Sequence, residues 1–275
     1  MNGTYTERVA VRMRIAFVGK GGAGKSSIAG TLARLLARRG QPVLAIDSDP
    51  LPGMPYALGI AVDDAPIPDD VVVEQTNGSN QWELRPDLTP QALVDKYAVV
   101  CPDNVRYLQF GNTRGHISTM RRAQSAWSQV VREIDPTAWH LVGDLPGGTR
   151  QAMFGWAKYA DTVIVVVEPS TKSLHAAKRL LNLSNADWAP RQLLLVANKV
   201  GDESDVRRIE ERLGRLVSAA IPLDAAVYGN DRHGRSPLDG KDSLAFVGAV
   251  NALLDHIIAT YESSTMLLQD KKVRT

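Results

Sequence analysis

Eight consecutive residues, Gly19-Lys20-Gly21-Gly22-Ala23-Gly24-Lys25-Ser26, constrain this chain more than any other feature of its sequence. They fit the pattern G-x-x-x-x-G-K-[ST], whose glycines let consecutive backbone N–H groups turn inward around phosphate oxygens. The pattern works between a strand and a helix, and both flanks qualify. Residues 13–18 form an apolar run that reads as a strand. Residues 25–39 carry Ile28, Leu32, Leu35 and Leu36 at the i, i+4, i+7, i+8 spacing of one helical face. The start of that helix adds the positive end of its dipole. Lys25 supplies a point charge for β and γ phosphates, and the Ser26 hydroxyl suits a Mg²⁺ ligand. Gly21, Gly22, Ala23, Gly24, Lys25, Ser26 and Ser27 are therefore the expected contacts to a nucleotide's phosphates.

The rest of the chain repeats that strand–helix rhythm. Gly40 ends the first helix, as glycine past a helix end commonly does, and residues 42–47 read as the next strand. Residues 51–90 are rich in Pro, Gly, Asn and Asp and read as loops with short elements. Strands are expected at 105–110 and 139–145, a helix at 117–134 and a short one at 151–159. Residues 162–167 and 192–197 are continuous apolar strands, the pattern of strands covered on both faces. Between them Leu174, Ala177 and Leu181 mark a helix capped by Ser170 or Thr171. Val206, Ile209, Leu213 and Leu216 mark another. A last helix over 243–261 is expected to bury Leu244, Val247, Val250, Leu254 and Ile257 or Ile258. This alternation predicts an α/β fold, a single doubly wound and mostly parallel sheet with helices on both faces. Residues 13–261 should form one domain, with 1–12 a loose extension and 262–275 a frayed tail.

Composition narrows the class. A chain of 275 residues with 44% hydrophobic and 23% charged residues is not disordered, collagen-like or disulfide-stapled. The one cysteine, Cys101, excludes an internal disulfide and a multi-cysteine zinc site. Thirty-two basic against 30 acidic residues give a net charge of +2, too balanced to predict nucleic-acid binding. No uninterrupted apolar run approaches the roughly 18 residues of a membrane helix, and residues 1–12 lack the apolar core of a secretory signal. The expected location is the cytoplasm.

Three further segments end strands with chemistry. Ala45-Ile46-Asp47-Ser48-Asp49-Pro50 puts two carboxylates at the carboxyl end of the second strand, where open α/β sheets bind ligands. Leu141-Val142-Gly143-Asp144-Leu145-Pro146-Gly147 is an apolar strand ending in Asp with Gly three residues on, a Walker B and switch II pattern. Asp144 would hold a Mg²⁺-bound water, and the Gly147 N–H would sense a γ-phosphate. Asn198, in Val196-Ala197-Asn198-Lys199-Val200-Gly201-Asp202, has an amide able to donate to and accept from an adenine edge. A guanine-reading N-K-x-D would need Asp at 201, where Gly201 stands, so ATP is favoured over GTP.

The second lysine, Lys20, turns the loop into K-G-G-x-G-K-[ST]-[ST], and here the chain resembles the deviant Walker A ATPases. These include the partition and division-site ATPases ParA and MinD, the nitrogenase iron protein and the CooC-type maturation ATPases. The resemblance runs from Met13 to about Ile258. It implies a homodimer around two ATP molecules, with Lys20 reaching the partner's phosphates as an arginine finger would. It also implies that Asp49 positions the attacking water and touches the Mg²⁺ shell, while Asp47 tethers the loop. The catalytic set would be Lys20, Lys25, Asp49 and Asp144, and the metal set Ser26, Asp49 and Asp144. Ile221-Pro222-Leu223-Asp224 resembles the loop that covers the base, which makes Pro222 a nucleotide contact.

Within the family, Glu168-Pro169-Ser170 and Gly234-Arg235-Ser236-Pro237-Leu238 look most like the CooC-type branch. That branch's C-x-C pair has no counterpart: the comparable stretch is Asn112-Thr113-Arg114-Gly115-His116-Ile117-Ser118. His116 and Cys101 are read as a solvated and a small buried residue rather than as metal ligands. Arg207, Arg208, Arg212 and Arg215 are placed on one helix with Glu203, Glu210 and Glu211 between them, a mixed-charge face. Arg121-Arg122 and Arg232-His233-Gly234-Arg235 are only short basic clusters, so DNA contact is not favoured. Leu267 and Leu268 bury too little area for a membrane anchor. The expectation is an ATP-hydrolysing dimeric switch acting on a client protein. A DNA- or membrane-positioning ATPase and a ligase of the dethiobiotin-synthetase kind are the alternatives.

Overall fold

The structure is a computed structural model and describes residues 12–62, 67–74, 82–110, 117–148, 156–183, 190–240 and 242–273. The elements run β1 (Arg14–Gly19), α1 (Lys25–Arg38), β2 (Val43–Asp47), α2 (Met54–Leu58), β3 (Val72–Glu74) and β4 (Trp82–Leu84). Then come α3 (Pro90–Tyr97), β5 (Val99–Val100), β6 (Arg106–Gln109), α4 (Ile117–Glu133), β7 (His140–Asp144) and β8 (Thr162–Val167). The chain continues through α5 (Thr171–Leu183), β9 (Gln192–Val200), α6 (Glu203–Leu213), β10 (Ala219–Pro222), α7 (Ala225–Arg232) and α8 (Leu244–Val273).

Eight strands form one sheet in the order β10-β9-β8-β1-β7-β2-β6-β5, and β3 pairs with β4 apart from it. Every pairing in the large sheet is parallel except that of β5 with β6. β1, β7 and β8 are buried almost throughout, as strands covered on both faces must be. α1 and α8 pack on one face, where Ile28, Leu32 and Leu36 join Val250, Leu254 and Ile257 in one core cluster. Burial of each such side chain contributes about 1.5–3 kcal/mol. α4 covers β2, β6 and β7 on the other face through Trp127, Val130 and Val131, and α5 covers β1, β8 and β9 through Leu174, Ala177 and Leu181.

Two fold-level details position the nucleotide end. Arg34, 2% exposed, bonds Asp103 at 2.7 Å and both oxygens of Asp239 at 2.8 Å, which ties α1 to two distant loops. Ser236 donates to the Ala57 carbonyl at 2.6 Å. The Gly234–Leu238 segment that marked a family branch is therefore a clamp on α2.

Several expectations need correction. α6 ends at Leu213 because Gly214 adopts φ 63, so Arg215 and Leu216 lie beyond the helix, and Leu216 is exposed. α8 does not stop at 261 but runs to Val273, so the stretch expected as a frayed tail is helical as far as it is described. Its buried stripe is Phe246, Val250, Leu253, Leu254 and Ile257, while Leu244 is exposed. Leu244–Ser263, 20 residues with a mean hydropathy of 1.5, is long and apolar enough to cross a membrane by length and composition, which the reading by uninterrupted runs did not register. Asn251, Asp255 and His256 break the run but not the average. The buried stripe accounts for that hydropathy as the core face of the helix. The strand β10 and the helices α3 and α7 were not expected. Residues 1–11, His116 and most of the helix expected at 151–159 lie outside the described residues.

Candidate active site

The carboxyl ends of β1, β2, β7, β8 and β9 meet at one edge. The register sets Phe17 opposite Asp144 and Asp47 opposite Asp144, so the three segments singled out in sequence converge there. The loop between β1 and α1 lies over them. Gly24 sits at φ 92 as the residue before α1, with no side chain capping the helix, so the first amides of α1 keep their donors for an anion. Gly21 and Gly22 are exposed, whereas Lys25 is 6% exposed. The structure thus brings Lys20, Lys25, Ser26 and Ser27 together with Asp49 and Asp144.

Asp144 ends β7 at 2% exposure. Its Oδ2 accepts a hydrogen bond from the Ser26 hydroxyl, and its Oδ1 is buried without a partner among the described residues. Burial pushes its carboxyl up to about 6, against the pull of the Lys25 charge and the Ser26 bond. Asp47 is fully buried and accepts from the N–H groups of Asp49 at 2.9 Å and Met54 at 3.1 Å. Burial and the neighbouring Asp144 hold its carboxyl well above the ordinary range. Asp47 therefore tethers the loop leading to α2, as expected. Asp49, half-buried, accepts from the Leu51 N–H at 2.9 Å and stands at the open side. A hydroxyl beside a carboxylate with a vacant oxygen is a hard-oxygen donor set of the kind Mg²⁺ takes, so Ser26 and Asp144 fit that ion. No group of three or more His, Cys, Asp or Glu among the described residues is arranged to hold a metal ion by itself.

Switch II rests directly on the phosphate loop. The Gly148 N–H donates to the Gly19 carbonyl at 3.0 Å, and a Cβ on Gly147 would lie 2.7 Å from the Gly21 Cα. Only glycine allows that approach. The loop after β2 is tied to switch II and to α4: the Ser48 N–H donates to the Asp144 carbonyl at 2.9 Å, and Trp127 Nε1 donates to Ser48 Oγ at 3.1 Å. Cys101 is buried, and burial raises its thiol to about 12, so it stays protonated and unreactive.

Asn198 has a structural partner in the phosphate loop. It is 4% exposed, and its Nδ2 donates to the Ala23 carbonyl at 2.8 Å, so its donor holds the loop from beneath. A Cβ at Gly24 would overlap that nitrogen at 2.2 Å, which explains glycine there beyond its φ. Asp202 caps α6 by accepting from the Ser204 N–H at 2.7 Å. Pro222 ends β10 beside Val200, at the same sheet edge. Two residues were missed in the sequence: Glu168, just past β8, and Lys199, held at φ 59. Glu168 directly follows an apolar strand, in the Glu168-Pro169-Ser170 segment already singled out, whereas Lys199 lies inside β9 and carried no signal of its own.

The profile of the CobQ/CobB/MinD/ParA nucleotide binding domain matches residues 15–238. The chain belongs to that family. The carbon monoxide dehydrogenase accessory protein CooC of Rhodospirillum rubrum is 29% identical over 238 residues, covering 82% of this chain and 90% of its own. An ATP-binding protein of Methanocaldococcus jannaschii is 29% identical over 237 residues, covering 81% and 90%. Among solved structures, a ParA family ATPase from Chlorobium tepidum superposes with a TM-score of 0.68 at 20% identity, covering 90% of this chain and 99% of that one. The septum site-determining protein MinD of Pyrococcus horikoshii, complexed with Mg-ADP, gives 0.65 at 18% identity and covers 88% and 96%. The mostly parallel central sheet with helices on both faces is the fold of these ATPases.

Proposed function

We propose that this protein is a cytoplasmic Mg²⁺-dependent ATPase that dimerises around two ATP molecules and uses the nucleotide state to control assembly, maturation or positioning of a client protein. The observation that carries the reading is the Ser26–Asp144 pair beside Lys25, with the second Asp144 oxygen buried and without a partner among the described residues at the foot of the phosphate loop. The loop amides and Lys25 bind and orient the phosphates. Asp49, at the open side of the site, orients the attacking water. Ser26 and Asp144 would hold Mg²⁺, which would supply positive charge to offset that of the phosphates. Gly147 and Ser48 carry the change of state outward, to switch II and to α4 through Trp127. Adenine is favoured over guanine because Gly201 stands where a guanine-reading N-K-x-D would need Asp. The name of the R. rubrum relative supports a maturation role, and the MinD and ParA likeness supports positioning. The cysteine pair of the CooC-type branch is absent, so no metal cargo is assigned.

Turnover should be slow, because Lys20 from a second copy completes the site. Lys20→Ala is expected to leave ATP affinity within about threefold by calorimetry while ATP-dependent dimerisation weakens but stays measurable at high protein concentration. Turnover should fall about a hundredfold or more, the scale of a cation supplied in trans. Unchanged turnover would remove the trans-lysine part of this reading. Co-purification with and without a non-hydrolysable ATP analogue should return different partners, and identical partner sets would count against the switch.

A further inference from the structure

Glu168 is the first residue after β8, at the mouth of the site. Its two carboxylate oxygens face two different lysines: Oε1 lies 3.5 Å from Lys20 Nζ and Oε2 lies 3.4 Å from Lys199 Nζ. The Ser170 hydroxyl donates to Oε1 at 3.0 Å, and the Glu168 N–H donates to Ser173 Oγ at 3.1 Å, so the carboxylate is held from its own side. Each lysine also touches the phosphate loop. Lys199 Nζ donates to the Gly22 carbonyl at 2.6 Å, and Lys20 Nζ approaches the Gly21 carbonyl at 3.4 Å. Burial opposes the charge on Glu168, but the Ser170 bond and the two lysines outweigh it and hold the carboxyl below its ordinary range.

The two lysines are not equivalent. Lys199 has one short bond to the loop and a backbone fixed at φ 59, a conformation that costs energy for a residue with a Cβ. Lys20 has only two long contacts, 3.4 Å to Gly21 and 3.5 Å to Glu168, on a loop of glycines. Lys20 is thus the one free to leave, and when it leaves, Lys199 and Ser170 still satisfy the carboxylate.

We propose that Glu168 is a positioning residue that parks Lys20 on its own subunit until a second copy draws it away, with Lys199 as the fixed counter-charge. The proposal rests on the dimer reading above and names the residue that regulates it. Glu168 does not itself touch the nucleotide; it sets where Lys20 rests before assembly. The ligand that displaces the latch is the triphosphate of a second subunit, which outcompetes a partly exposed carboxylate because it is more highly charged.

The test is a double-mutant cycle on the full chain, with Glu168→Gln, Lys20→Ala and both together. Sedimentation with a non-hydrolysable ATP analogue reads the dimer dissociation constant. Glu168→Gln should tighten the dimer about three- to fivefold, the range of one partly exposed ion pair. The same change in the Lys20→Ala background should do nothing. Equal tightening in both backgrounds would make Glu168 a general electrostatic brake, and no tightening or a weaker dimer would likewise overturn the latch. A second readout needs no dimer: after reductive ¹³C-methylation of the nucleotide-free protein, the Lys20 signal, assigned by its loss in Lys20→Ala, should shift on Glu168→Gln. An unmoved signal overturns the resting contact. A parent protein that stays monomeric with the analogue would instead refute the dimer reading.

Discussion

Replacing Asp144 by Asn should stop ATP hydrolysis and, in the same protein, make the nucleotide-free state harder to unfold. The carboxylate is 2% exposed, and one oxygen has no partner among the described residues. Its carboxyl is raised from 3.8 to about 6 by burial. Between those two values the folded protein keeps a proton that the unfolded chain has released. Stability therefore falls as pH rises through this window, and above it the charged group costs on the order of 3 kcal/mol. Asn carries no such charge and can still accept from the Ser26 hydroxyl. The stability difference between Asp144→Asn and the parent should grow from near zero at about pH 4 to its full value by about pH 7, read by urea unfolding at each pH. Comparing the two proteins at the same pH cancels distant titrating groups, while Asp47, relieved of the Asp144 charge, adds to the gain in the variant. Turnover should fall at least about a hundredfold, since a preorganised electrostatic group at the phosphates contributes several kcal/mol. Excess Mg-ATP should stabilise the parent more than the variant. A variant no more stable than the parent at pH 7 would show that Asp144 is not held charged in a dry site.

Lys25→Ala should remove nucleotide binding. Lys25 is 6% exposed at the first position of α1, and its charge acts on Asp144. A charge-assisted contact contributes about 1.5–3 kcal/mol, so loss of the contacts to two phosphates should weaken ATP by about a hundredfold or more in calorimetry. The same change removes the cation that opposes burial of Asp144. Its carboxyl should then titrate above about 6, and the pH dependence of stability should steepen in the nucleotide-free variant. Retained ATP affinity would mean that the loop amides alone hold the triphosphate, and the role assigned to this lysine would be wrong.

The phosphate loop, its flanking strand and helix, and the carboxylates at 47, 49 and 144 were legible because each is encoded in a few adjacent residues. Glycines at fixed offsets, an apolar run and a helical stripe at 28, 32 and 36 need no distant partner to be recognised. Where nearly every position is apolar, that legibility ends. In α8, Leu244, Phe246, Val247 and Val250 all qualify for the core, and contact with α1 and β10 selects Phe246 over Leu244. The end of α6 was misjudged for the opposite reason: Gly214 outranks the periodicity that would have carried the helix to Leu216.

By itself, the sequence determined that this chain builds an α/β sheet with a phosphate-binding loop at its edge, since those signals are local hydrogen-bonding and burial patterns. Tertiary structure alone decided that the Asn198 amide supports Ala23, that one Asp144 oxygen has no partner among the described residues, and that Glu168 stands between Lys20 and Lys199. These pairs lie 175, 118, 148 and 31 residues apart for Asn198–Ala23, Ser26–Asp144, Lys20–Glu168 and Glu168–Lys199. Only the closing of parallel strands into one sheet brings their ends together, and no short pattern along the chain records which side chains then share a partner.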